Sequence, residues 1–140
     1  MNRTDRRMLA GPLAVLTLAA AVFPAGAADT SEQYFLAAEQ AAQDGRLGDM
    51  QLAYEQVLER EPSNTRALNG KAAAQAWRGD YVASQSTYLA ALAIDRENLD
   101  SLVGLGYAYA WAGDFTLAHT RFNYALNIDP TNSGARKGIA

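Results

Sequence analysis

Two aspartates stand in matching strings, Trp77-Arg78-Gly79-Asp80-Tyr81 and, 34 residues on, Trp111-Ala112-Gly113-Asp114-Phe115. A pair of carboxylates is the minimum equipment for general acid–base chemistry. Few other groups could assist them. The chain has one histidine, His119, and no cysteine. Glu55, Glu59 and Glu61 form an acidic run whose spacing suits a solvated face better than a metal site. Each aspartate directly follows a glycine at the point where one helix would end and the next begin. A carboxylate there caps free backbone N–H groups and complements the helix dipole. Capping is therefore the reading for Asp80 and Asp114, and His119 is expected to face outward or bridge neighbouring units. No nucleophile–base pair, metal cluster or phosphate-binding loop is present. The sequence predicts a protein that is not an enzyme, with no cofactor and no metal.

The spacing between the strings extends beyond them. Aligning residues 65–98 with 99–132 pairs Leu68 with Leu102, Gly70 with Gly104, Ala74 with Ala108, Ala91 with Ala125, Leu92 with Leu126 and Asn98 with Asn132. Tyr88 and Phe122 exchange one aromatic for another. Residues 31–64 form a weaker copy that keeps Gly45, Tyr54, Leu58, Pro62 and Asn64. Three units thus fill residues 31–132 without an insertion. A fixed period of this length marks a stacked repeat array, and such arrays present binding surfaces.

Composition agrees. The 140 residues are 49% hydrophobic, rich in alanine, and poor in β-branched residues outside the first thirty. This favours helix over sheet within one domain. Without cysteine there is no disulfide framework and no lipid-attachment thiol. The N-terminus reads as a targeting segment. Arg3, Arg6 and Arg7 precede an uncharged stretch, residues 8–28, whose densest apolar part is 13–23. Pro24 and Ala25-Gly26-Ala27 follow, a small-x-small cleavage pattern. The predicted signal peptide is 1–27, leaving 28–140 as the mature domain. The apolar core is shorter than the roughly 20 residues a membrane span needs, so no membrane insertion is expected after cleavage. The expected location is the periplasm or outside the cell. Cleavage would shift the formal net charge from −3 to −5. An acidic surface argues against nucleic acid and against anionic lipid as partners.

Within each unit the pattern is helix–turn–helix. In the third, Leu102, Leu105, Gly106 and Tyr109 share one face of a first helix. Gly113 ends it in the left-handed conformation that glycine accepts. Ala118, Phe122, Ala125 and Leu126 form the buried face of the second helix. Pro130 stops that helix and Asn132 caps the next. Tyr81 and Phe115 are expected in the core. Ala38, Ala72 and Gly106 let the two helices of a unit approach, and Tyr54, Tyr88 and Phe122 fill what remains.

These columns resemble the tetratricopeptide repeat (TPR). Its signature residues occur in the third unit as Leu102, Leu105-Gly106, Tyr109, Ala118, Phe122, Ala125 and Pro130. The second unit departs from them at Lys71, Gln75, Ser84 and Arg96, and the first at Met50 and Val57. The resemblance implies an all-α, right-handed superhelix (an α-solenoid) of three repeats, 31–64, 65–98 and 99–132, plus the start of a fourth first helix in 133–140. It also implies a scaffold that binds a protein or peptide segment in a concave groove lined by the first helices. The partner-binding positions would include Phe35, Glu39, Asn69, Ala73, Trp77, Val103, Tyr107 and Trp111. Gly70 and Gly104 would leave room for a docked side chain. The Lys/Asn/Arg clamp with which some TPR domains hold a C-terminal carboxylate is absent; its columns carry Phe35, Glu39 and Gly70. Trp77 and Trp111 fit either ligand contact or packing between units. A structural role as the N-terminal part of an outer-membrane or polysaccharide-export assembly is the alternative function. Self-association through the apolar C-terminal end is a further possibility that residues 133–140 raise.

Overall fold

The computed structural model describes residues 30–140; the signal-peptide reading of residues 1–27 lies outside them. Seven helices and no strand occur among the described residues: α1 (Ser31–Gln43), α2 (Leu47–Arg60), α3 (Thr65–Trp77), α4 (Tyr81–Ile94), α5 (Leu99–Ala112), α6 (Phe115–Ile128) and α7 (Ser133–Ile139). None is long and apolar enough to cross a membrane. They pair as three hairpins, α1/α2, α3/α4 and α5/α6, with α7 docked on the last.

The chain turns where backbone chemistry requires it. Gly45, Gly79 and Gly113 adopt φ of 69°, 85° and 91°, and no other residue type among those described has positive φ. The N–H after each glycine reaches back five residues, as from Asp114 to the Tyr109 carbonyl at 2.9 Å, closing the helix end. First helices start on asparagine caps: the side chains of Asn64, Asn98 and Asn132 accept from the N–H groups of Ala67, Ser101 and Ala135 at 2.9–3.0 Å. Asp114 caps α6 by accepting from Leu117 N–H at 3.1 Å. Asp80 makes no such bond, so only one of the two aspartates has the predicted role. Proline is also not what stops the second helices. α2, α4 and α6 end at equivalent positions although the middle unit carries Arg96 in the proline column. In the second and third units an Asx turn redirects the chain: Asp95 accepts from Glu97 N–H at 3.1 Å, and Asp129 from Thr131 N–H at 2.9 Å. The Thr131 hydroxyl and N–H also hold the Asp129 carboxyl below its usual range.

Between hairpins the core follows one rule. The ring of a second helix is pressed against a glycine on the first helix of the following unit. Tyr54 lies over Gly70, Tyr88 over Gly104 and Phe122 over Gly138; a Cβ on any of these glycines would come within 2.2–2.3 Å of the ring. Gly70 and Gly104 therefore receive the protein's own aromatic rings, and the space read from sequence as room for a ligand is filled. Phe122 also lies against Gly106 of its own hairpin, and Ala38 and Ala72 are fully buried in the equivalent positions. Polar residues that break the repeat pattern in the second unit satisfy one another. Ser84 Oγ donates to the Ala72 carbonyl at 2.8 Å, and Thr87 Oγ1 donates to the buried Gln75 Oε1 at 2.8 Å.

Tyr81 and Phe115 depart from the expected core. Tyr81 is half-buried, its ring 6.4 Å from that of Trp111. Phe115 is 67% exposed.

Burial pushes the Tyr88 hydroxyl up to about 12, with the Asp100 carboxylate adding to the shift. The folded protein thus holds this proton more tightly than the unfolded chain. The associated stability is complete below pH 10 and is lost as pH rises from 10 towards 12. Tyr88→Phe is expected to flatten that alkaline limb in pH-dependent denaturant melts. A limb of undiminished slope in the variant would assign the loss to other groups.

Candidate interaction groove

Layering decides which face is concave. α3 packs against α5, and α5 against α7, whereas α2, α4 and α6 make no comparable contact with one another. Helices that touch on one side and splay on the other give an array that curves with the first helices inside. The residues predicted for the groove belong to α1, α3 and α5, but the structure treats them unequally.

At the first-unit end, Phe35 is a core residue and a correction to the expected groove: it is 5% exposed, packed with Val57 and Ala67, with Tyr54 edge-on at 6.0 Å. The cause is Arg66, whose guanidinium covers the ring at 3.9 Å. Arg66 is held there by Glu39 at 3.5 Å and Glu32 at 3.8 Å. Glu39 is exposed, but as part of this charged cover.

In the middle, Asn69 is committed to the joint between units. Its Nδ2 donates to Asn98 Oδ1 at 3.1 Å, and its Oδ1 accepts from the buried Ser101 Oγ at 2.6 Å. Ala73 is half-buried beside the first hairpin's cluster. At the far end α7 lies over Val103, whose Cγ1 would stand 2.9 Å from a Cβ on Gly134. Tyr107 is partly buried: its hydroxyl donates to the Gly134 carbonyl at 2.9 Å and its ring meets Phe122 edge-on at 5.1 Å.

The two tryptophans remain. Trp111 is 49% exposed, its ring 5.7 Å from Tyr107 and 6.4 Å from Tyr81. Neighbouring rings fix its plane while half of its surface faces water. Trp77 is 55% exposed. The position equivalent to Tyr81 in the preceding unit is Leu47 rather than an aromatic residue. Two indoles thus stand one repeat apart at the ends of α3 and α5. Sequence missed Tyr81 as part of this surface, and missed that Arg66, on a groove-facing column, folds over Phe35. Both contacts cross a repeat boundary, which single-helix periodicity does not encode.

The surface offers shape and apolar contact rather than reactivity. No group of three His, Cys, Asp or Glu residues able to hold a metal occurs among the described residues. His119 is exposed on α6. Glu55, read as part of a solvated acidic face, is half-buried and paired with Lys71 at 3.1 Å.

No family model and no curated protein matches the sequence. Solved structures do match the fold. The TPR domain of Arabidopsis OM64 superimposes with a TM-score of 0.74 at 19% identity, over 78% of this chain and 90% of that one. The Sgt2 TPR domain from Aspergillus fumigatus gives 0.74 at 19% identity, over 84% and 80%. The first TPR of Spaghetti (RPAP3), solved with an HSP90 peptide, gives 0.70 at 16% identity, over 80% and 91%. The fold is therefore the all-α solenoid of TPR domains, as the repeat columns implied.

Proposed function

We propose that this chain is a TPR interaction module of the cell envelope that binds a protein or peptide segment through the tryptophan-lined inner surface. The observation that carries the reading is the half-exposure of Trp77 and Trp111, one repeat apart, in a fold whose other large side chains of the inner face are buried or engaged. Large, preorganised aromatic surfaces are the usual anchors of protein interfaces. The HSP90 peptide held by a domain of the same fold supports a peptide as the class of ligand. The partner segment is apolar or aromatic, since the two indoles carry no charge. Catalysis, cofactors and nucleic acid form no part of this reading. Residues 1–27 supply the export signal, and a reporter fusion that stays inside the cell would remove the envelope from the proposal.

The test is direct because the chain contains only these two tryptophans. A peptide array probed with the full chain selects ligands, and indole fluorescence then follows their binding. Trp111→Ala and Trp77→Ala are each expected to weaken binding roughly thirtyfold, as interface anchors do. Unchanged affinity in both variants would place the site elsewhere.

A further inference from the structure

The outer face carries a second feature. α4 and α6 diverge around a trough of about 750 Å³. Leu92 and Leu102, both buried, and the exposed Leu89 and Tyr124 give it apolar walls. Arg96 and Arg121 also line it. Neither has an ion pair among the described residues, and Arg121 Nε is shielded from solvent with no hydrogen-bond partner. A charged N–H shielded from water without an acceptor is an unfavourable arrangement that an anion relieves.

The preceding joint shows that this is not a general property of the repeat. Shifted back by one unit, Leu89 becomes Glu55, Arg96 becomes Pro62, Arg121 becomes Thr87 and Tyr124 becomes Ala90. There the polar groups are already satisfied: Glu55 accepts from Lys71 and Gln51, and the Thr87 hydroxyl donates to Gln75. Only the joint between α4 and α6 combines unpaired arginines with apolar walls. Asn123 and Asn127, one helical turn apart, complete the lining. Their separation of roughly 6 Å along α6 is close to the roughly 6.6 Å between alternate residues of an extended chain. Side-chain amides at that interval match the main-chain donors and acceptors of an extended peptide.

We propose that the trough between α4 and α6 binds an extended segment of a partner protein in which carboxylate side chains alternate with apolar ones. The arginines take the carboxylates, the leucines and Tyr124 take the apolar residues, and the asparagines hold the backbone. The site lies on the face opposite the tryptophans and does not depend on them.

The experiment uses the full isotope-labelled chain and a terminally blocked peptide, Ala-Leu-Asp-Leu-Asp-Leu-Ala, with its Asp-to-Asn analogue as control. On titration the Arg121 Nε–H and the Asn123 and Asn127 side-chain amide resonances are expected to move. The neutral analogue, Arg121→Gln and the exposed Arg96→Gln should each bind ~10-fold more weakly, a typical loss for a charge-assisted hydrogen bond. Trp111→Ala should bind as wild type, which separates this site from the inner surface. Four results would each overturn the proposal. They are perturbations confined to Trp77 and Trp111, wild-type affinity in both arginine variants, saturation of the same resonances by acetate alone, and the same shifts appearing without peptide as the chain is concentrated.

Discussion

Phe122→Ala is expected to lower the melting temperature of the whole array and not of the third hairpin alone. Phe122 is 1% exposed and is the largest fully buried side chain in the described structure. Its ring lies against Gly106 in its own hairpin, Gly138 in α7 and Tyr107 edge-on. Truncation removes contacts in both the intra-hairpin and the inter-hairpin direction. The glycines have no side chains with which to refill the space, so the cavity stays open. Large aromatic-to-Ala changes in cores cost about 3–5 kcal/mol, against a total of about 5–15 kcal/mol for a domain. In a linear array each hairpin is stabilised only by its neighbours, so the loss spreads. A drop in Tm of roughly 15 °C or more is expected by circular dichroism. Retention of the wild-type Tm would refute this account of the packing.

Gly104→Ala is expected to destabilise although it replaces a poor helix former with the best one. On an open helix surface that change gains about 1 kcal/mol. Gly48 in α2 is such a case, with nothing within 4 Å of an added Cβ, and Gly48→Ala serves as the control with neutral or higher stability. At Gly104 the added carbon would stand 2.3 Å from Tyr88 Cζ and 2.5 Å from its hydroxyl oxygen. The obstacle is a ring held between helices, not the end of a flexible chain, so α4 and α5 must separate. Overpacking of this kind costs about 1–3 kcal/mol. Adding Tyr88→Leu to Gly104→Ala should give a loss smaller than the sum of the two single losses, because the shorter side chain vacates the space the methyl needs. Strict additivity in denaturant midpoints would show that ring and glycine do not meet in solution.

The architecture was legible because repetition multiplies weak signals. No single Gly-Asp or Ala-x-x-x-Phe string defines a hairpin, but the shared phase from Gly45 to Gly79 to Gly113, and from Asn64 to Asn98 to Asn132, places the turn inside each hairpin and the caps of α3, α5 and α7. What stayed hidden concerns who fills a given space. A small residue announces that something comes close, not what. Gly70 and Gly104 were read as open to a ligand when the preceding unit's tyrosines occupy them. Phe35 shares a column with Asn69 and Val103, yet it is buried because one arginine, unique to the second unit, folds back over it. Tyr81 and Phe115 share a column too, yet Tyr81 is half-buried beside Trp111 and Phe115 is exposed. The same limit applies on the outer face. Arg96 registered in the sequence merely as a departure from the proline column, and its relation to Arg121 emerges only when α4 and α6 lie side by side. Repeat columns describe the average unit, whereas the surfaces available for recognition are made where units differ.

The ring-to-glycine contact has a direction. Each hairpin offers a ring to the unit after it and a glycine to the unit before it. In the first hairpin the receiving position holds Leu36, which is 58% exposed, so no ring of another unit could be seated there as it is at Gly70. Towards α7, by contrast, the same handshake is made again, with Gly138 closing on Phe122. Among the described residues the contacts therefore run one way along the array, each ring reaching forward to the next first helix, like shingles that each lap their neighbour.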